Sequence, residues 1–157
     1  MASPYQQTSA GPMIQIRRTF DAGRDRVFSA WTDPDRVSQW LCRAPGYKTE
    51  HLQFEARVGG SYLIRNTSAA GDVYNIRGEF REVQPPSKLV FTWGGTSTLA
   101  SGATRPKMDD TVVVLEFFER GTQTEVVLAH YGLPTEELRI DHTKGWNICF
   151  DNLAAVL

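Results

Sequence analysis

The chain has 157 residues, with 17 Lys and Arg against 18 Asp and Glu, a net charge of −1 at pH 7 and 41% hydrophobic residues. That length suits one domain with a core of its own. A near-neutral balance without basic or acidic runs argues against nucleic acid or an anionic membrane as the main partner, and no stretch approaches the roughly 18 consecutive apolar residues of a membrane-inserted helix.

Residues 1–12, MASPYQQTSAGP, lack the basic and apolar regions of a signal peptide and read as a flexible polar tail. A single domain is therefore expected over residues 13–157, in a cytoplasmic protein. Cys42 and Cys149 form no C-x-x-C pair, and reduced thiols are the expected state. MIQIRRTF (Met13–Phe20) alternates as a strand does. Asp21 is a candidate cap for a short helix whose apolar face is Val27, Phe28 and Trp31. Asp33-Pro34 starts a second helix, with Val37, Trp40 and Leu41 on its buried side. Residues 43–48 read as a loop.

From His51 the pattern becomes an antiparallel meander. Leu52, Phe54 and Ala56 alternate with polar residues, and Val58-Gly59-Gly60 reverses the chain towards Tyr62 and Ile64. A hairpin loop around Gly71 leads to Tyr74, Ile76, Gly78 and Phe80 on one face. Pro85-Pro86 ends that strand, and Leu89, Phe91 and Trp93 define the next. Gly94 to Asp109 reads as a loop of roughly sixteen residues near a site, because long loops in compact domains are commonly functional or mobile. Val112–Phe118 and Val126–Tyr131 are the last strands, turning at Gly121-Thr122. Thr135 then caps a helix to Leu157, roughly 33 Å long at about 1.5 Å per residue. Its expected inner face holds Leu138, His142, Gly145, Trp146, Cys149, Leu153 and Val156, with Gly145 marking a close approach. The order β-α-α, six strands, α is an α+β plan.

Several segments in this order resemble one known family: RTFDA, VFSAWTDP, QWL, the R-V-G-G-S-Y run at Arg57–Tyr62, RGEFREVQPPSKLVFTW, TEVVLAHYGLP, and His142-x-x-Gly145-Trp146-Asn147. They are similar to homologues of the activator of the 90-kDa heat-shock-protein ATPase, a branch of the START-like (SRPBCC) superfamily. The resemblance spans Ile14 to Leu157. It implies a helix-grip fold, a bent antiparallel sheet wrapped around the long C-terminal helix, with an apolar cavity between them. It also implies binding of a small hydrophobic or amphipathic molecule. The alternatives are a polyketide cyclase- or hydrolase-like enzyme and a chaperone-partner module; the plan also leaves surfaces for a homodimer.

On that reading the ligand-binding residues are Phe54, Tyr62, Ile64, Tyr74, Ile76, Phe91, Trp93, Leu115, His130, His142, Trp146 and Cys149, with Val113, Phe117 and Leu128 continuing the same face. Tyr62, Tyr74, Trp93 and Trp146 carry the argument, since a buried O–H or N–H needs a partner that a cavity could supply. His130 and His142 could meet at the helix–sheet joint as acid and base, or each could simply be satisfied by a local hydrogen bond. The listed face carries no carboxylate, so no catalytic residue is assigned. No cofactor or metal is implied: the Cys and His residues lack ligand spacing, Ser61 lacks a nucleophile elbow, and Gly59-Gly60 lacks a dinucleotide motif.

Overall fold

The computed structural model describes residues 12–105 and 107–157; the expected N-terminal tail, Pro12 apart, lies outside the described residues. Strand β1 (Met13–Phe20) buries Ile14 and Phe20 and turns Gln15 and Arg17 outward. Helix α1 (Arg24–Thr32) buries Val27, Phe28, Ala30 and Trp31. It begins after Gly23, without the side-chain cap expected from Asp21. Before the helix starts, the Ala22 carbonyl is already held by the Thr124 hydroxyl at 2.8 Å. Helix α2 (Pro34–Val37) is a single turn, opened by Asp33, whose carboxylate accepts from the Asp35 N–H at 3.0 Å. Trp40 and Leu41 follow it in a turn and are buried.

The sheet is completed by β2 (Tyr47–Phe54), β3 (Ser61–Ser68), β4 (Val73–Gln84), β5 (Lys88–Thr98), β6 (Met108–Arg120) and β7 (Gln123–Tyr131). Its seven strands run in the order β1-β7-β6-β5-β4-β3-β2, antiparallel throughout. The two short helices thus carry the chain from one edge of the sheet to the other. Two boundaries depart from the expectation. β2 starts at Tyr47 rather than near His51, and a register shift between His51 and Gln53 turns Leu52 outward, 46% exposed. The expected loop from Gly94 shrinks to residues 99–107, because Gly94–Thr98 pairs with Val73–Arg77. Gly95 permits this close pairing: a Cβ there would sit 2.0 Å from the Asn75 carbonyl oxygen.

Helix α3 (Glu136–Val156) is capped by Thr135, whose hydroxyl accepts from the Leu138 N–H at 3.2 Å, and Glu136 and Glu137 occupy its first turn. It buries Trp146, Cys149, Phe150 and Leu153. Phe150, one turn from Trp146, joins the buried face, whereas Val156, expected there, is 41% exposed. Trp31 is the centre of the packing, with ring centroids 4.5 Å from Trp40, 6.0 Å from Phe150, 6.3 Å from Trp146 and 6.4 Å from Phe117. The short helices, the long helix and one face of the sheet therefore share a single core, as a helix-grip fold requires. Among the described residues no helix is long and apolar enough to cross a membrane.

Candidate functional site

The twelve residues expected around one enclosed cavity divide into two groups. Ile64, Leu115 and His130 are fully buried, Tyr62 and Phe91 nearly so, and Phe54 packs against them from β2. Phe54, Tyr62, Phe80 and Phe91 meet at centroid distances of 5.4 to 6.1 Å, and the space among them, Trp31 and Leu41 is only about 10 Å³. Tyr62 needs no ligand, since its hydroxyl donates to the Thr92 carbonyl at 2.6 Å. Burial raises its pKa well above the ordinary value. These six residues, with Val113, Phe117 and Leu128, fill the core. Alternation along a strand reports which face is inward, but not whether that face meets a void or another side chain.

Tyr74, Ile76, Trp93, His142, Trp146 and Cys149 instead line a groove between α3 and the bent end of β3, β4 and β5. The groove is open to solvent and has two adjoining compartments of about 250 and about 420 Å³. The smaller includes Cys42, Gly145, Trp146, Ile148 and Cys149. The larger includes Tyr47, Tyr74, Gly94, Gly95, Met108 and Leu138. Asn66, Ile76, Trp93, Asp141 and His142 line both. Trp93 and Trp146 lie 4.8 Å apart between their ring centroids, and Tyr47 meets Tyr74 edge-on at 6.1 Å. Gly145 is exposed and a Cβ there would touch nothing within 4 Å, so it does not mark a close approach; its missing side chain leaves the smaller compartment open.

Beneath this groove His130 joins helix to sheet. The Trp146 indole N–H donates to His130 Nδ1 at 3.1 Å. Nε2 therefore carries the proton and donates to the Thr111 hydroxyl at 2.6 Å, which in turn donates to the Trp93 carbonyl at 2.8 Å. Burial, reinforced by nearby His142, lowers the His130 pKa to about 3. Both ring nitrogens are occupied and the ring stays neutral, so His130 orients the two tryptophans and lines neither compartment. His142 approaches it, with ring centroids 5.4 Å apart, but its own Nδ1–H is spent on the Leu138 carbonyl at 2.8 Å. The acid–base pairing of the two histidines is therefore not formed.

Cys42 and Cys149, distant in sequence, line the same compartment as free thiols. Burial raises Cys149 to about 11 and lifts Cys42 well above the usual thiol value, with Cys149 adding to the second effect. Protonated thiols of this kind are poor nucleophiles and poor metal ligands. Among the described residues no group of three or more His, Cys, Asp and Glu is arranged to hold a metal ion.

Sequence reasoning missed Cys42, Asn66 and Asp141 as lining residues. Asn66 Nδ2 donates to the Cys42 carbonyl at 2.9 Å, while its Oδ1 is buried without a partner. Asp141 stands one helical turn before Gly145, and that glycine was the available signal: a helix position without a side chain opens space for its neighbours on the same face.

A family model described as Activator of Hsp90 ATPase homolog 1-like protein matches residues 21–157. No curated protein sequence matches the chain. Among solved structures, a Chromobacterium violaceum protein is similar at 22% identity over 93% of this chain and 97% of that one, with a TM-score of 0.78. An AHSA1 protein of Silicibacter pomeroyi is 22% identical over 92% and 96%, TM-score 0.75. CalU16 of Micromonospora echinospora is 26% identical over 92% and 74%, TM-score 0.64.

Proposed function

Because the chain belongs to the family of Activator of Hsp90 ATPase homolog 1-like proteins, with its bent sheet gripping a C-terminal helix, we propose that it binds a small hydrophobic or amphipathic molecule in the groove beside α3. The observation that carries this reading is the Trp93–Trp146 pair at the groove, held from below by His130 and Thr111. Aromatic walls fixed in advance cost little entropy on binding. The compartments also fall near the lower end of the roughly 300–1,000 Å³ usual for ligand sites. An apolar fluorescent probe should bind with roughly micromolar affinity, about −8 kcal/mol. Trp93→Ala should weaken it, and Gly145→Leu, which fills the smaller compartment, should displace it. Binding indifferent to both substitutions would put the probe elsewhere and remove the support.

One observation favours a second reading, a cyclase- or hydrolase-type enzyme: Asp141 and His142 line the same groove, and His142 keeps Nε2 uncommitted. Turnover of a bound compound that His142→Gln abolishes without loss of binding would establish it. A chaperone-partner role would use the outer surface, and Gly145→Leu should leave it intact.

A further inference from the structure

Where the two compartments join, the side-chain polar groups shared by both are Asn66, Asp141 and His142. Asp141 and His142 offer acceptors there. One N–H of the Asn66 amide donates to the Cys42 carbonyl at 2.9 Å, and its buried Oδ1 has no partner among the described residues. The His142 Nδ1–H is spent on the Leu138 carbonyl, so the neutral ring has only the Nε2 lone pair left to offer. The Asp141 carboxylate makes no ion pair or hydrogen bond among the described residues. Arginines do not share this junction. Arg43 lines only the smaller compartment, with its Nε donating to the Ser38 carbonyl at 2.6 Å, and Arg105 lines only the larger.

We propose that the groove takes an amphipathic amine, its N–H donors on the Asp141 carboxylate and His142 Nε2, and its apolar body along Trp93 and Trp146. This rests on the groove being a ligand site and adds the chemistry of the polar end. An ammonium group carries several donors and no acceptor, which matches a junction of acceptors. Its charge also gains from the carboxylate. A carboxylate ligand of the same shape would bring like charge to Asp141, which disfavours it.

The test uses the full chain at about pH 8, where an alkylamine is charged. It is titrated calorimetrically with 4-phenylbutylamine, 4-phenylbutyrate and butylbenzene. The amine should bind about tenfold or more tighter than the other two, as a charge-assisted hydrogen bond implies. Asp141→Asn, isosteric and at an exposed position, should bring the amine close to butylbenzene and leave butylbenzene unchanged. Butylbenzene binding with no advantage for the amine, or with the acid preferred, would overturn the amine assignment while the groove stands. An amine preference that survives Asp141→Asn would place the amine elsewhere and overturn it too. Failure of all three compounds to bind would overturn the ligand-groove reading and this inference with it.

Discussion

At the scale of single residues, two glycines on different elements have opposite duties. Gly78, on β4, lies against the neighbouring strand: an added Cβ would sit 1.9 Å from the Thr92 carbonyl oxygen and 2.7 Å from the Tyr62 hydroxyl. Gly145 would bring its Cβ near nothing within 4 Å. Gly78→Ala should therefore cost about 1–3 kcal/mol through overpacking, because the obstruction is backbone that has to shift. Gly145→Ala should instead stabilise by up to about 1 kcal/mol, since alanine is the better helix former. Urea melts of the two variants should move in opposite directions. A glycine in a helix and a glycine in a strand look alike on paper, and only the neighbouring chain tells which one is crowded.

At the scale of elements, β5 and β6 continue past the points where their apolar alternation fades. Gly94–Thr98 has no hydrophobic pattern, yet it remains paired with β4 because backbone hydrogen bonding does not require side chains. Between the two strands the chain is closed on itself by the Gly102 N–H on the Leu99 carbonyl at 2.8 Å and the Leu99 N–H on the Ala103 carbonyl at 2.7 Å, with Thr104 bridging Thr98. Its other bonds to the rest of the described residues, Ala100 N–H to the Asp72 carboxylate and Arg105 N–H to the Ser97 carbonyl, form no continuous ladder, so it should open locally before the strands do. Trypsin should first cut after Lys107, which is exposed, whereas Arg105 precedes a proline in the sequence and is resistant. Mass spectrometry of a brief digest would identify the fragment. First cleavage within β4 or β7 would show that this segment is as firmly held as the sheet.

At the scale of the whole molecule, His130 couples helix and sheet, and its chemistry sets a pH dependence. Its folded pKa of about 3 lies below the usual histidine value near 6.5, so between these limits the unfolded chain takes up a proton that the native chain refuses. Stability contributed by the neutral ring is thus present in full above about pH 6.5 and falls as pH drops towards 3, by up to about 1.4 kcal/mol per pH unit. His51, also lowered by burial, acts in the same direction. Denaturant midpoints measured from about pH 7 to about pH 4.5 should fall for the native chain and fall less steeply for His130→Gln, which is less stable at neutral pH because Trp146 and Thr111 lose a buried partner. Parallel profiles for the two proteins would show that His130 is not the titrating group.

Local pattern alone was enough to determine the number and order of the elements, the Asp33 and Thr135 caps and the inward face of the strands other than β2, where a register shift turns Leu52 outward. Capping, turn chemistry and alternation are short-range effects written within a few residues. It did not determine where the inward faces meet one another and where they leave space. Tyr62 and Tyr74 read alike in sequence. One is sealed against Thr92 in the core, the other borders an open groove beside α3. The same holds for the two histidines: Trp146 and Thr111 reach His130 from opposite sides only once α3 lies on the sheet. Asn66, Asp141 and Cys42 come together from a strand, a helix and a turn far apart in the chain. Their sequence neighbours say nothing of this meeting, which depends on long-range packing between elements.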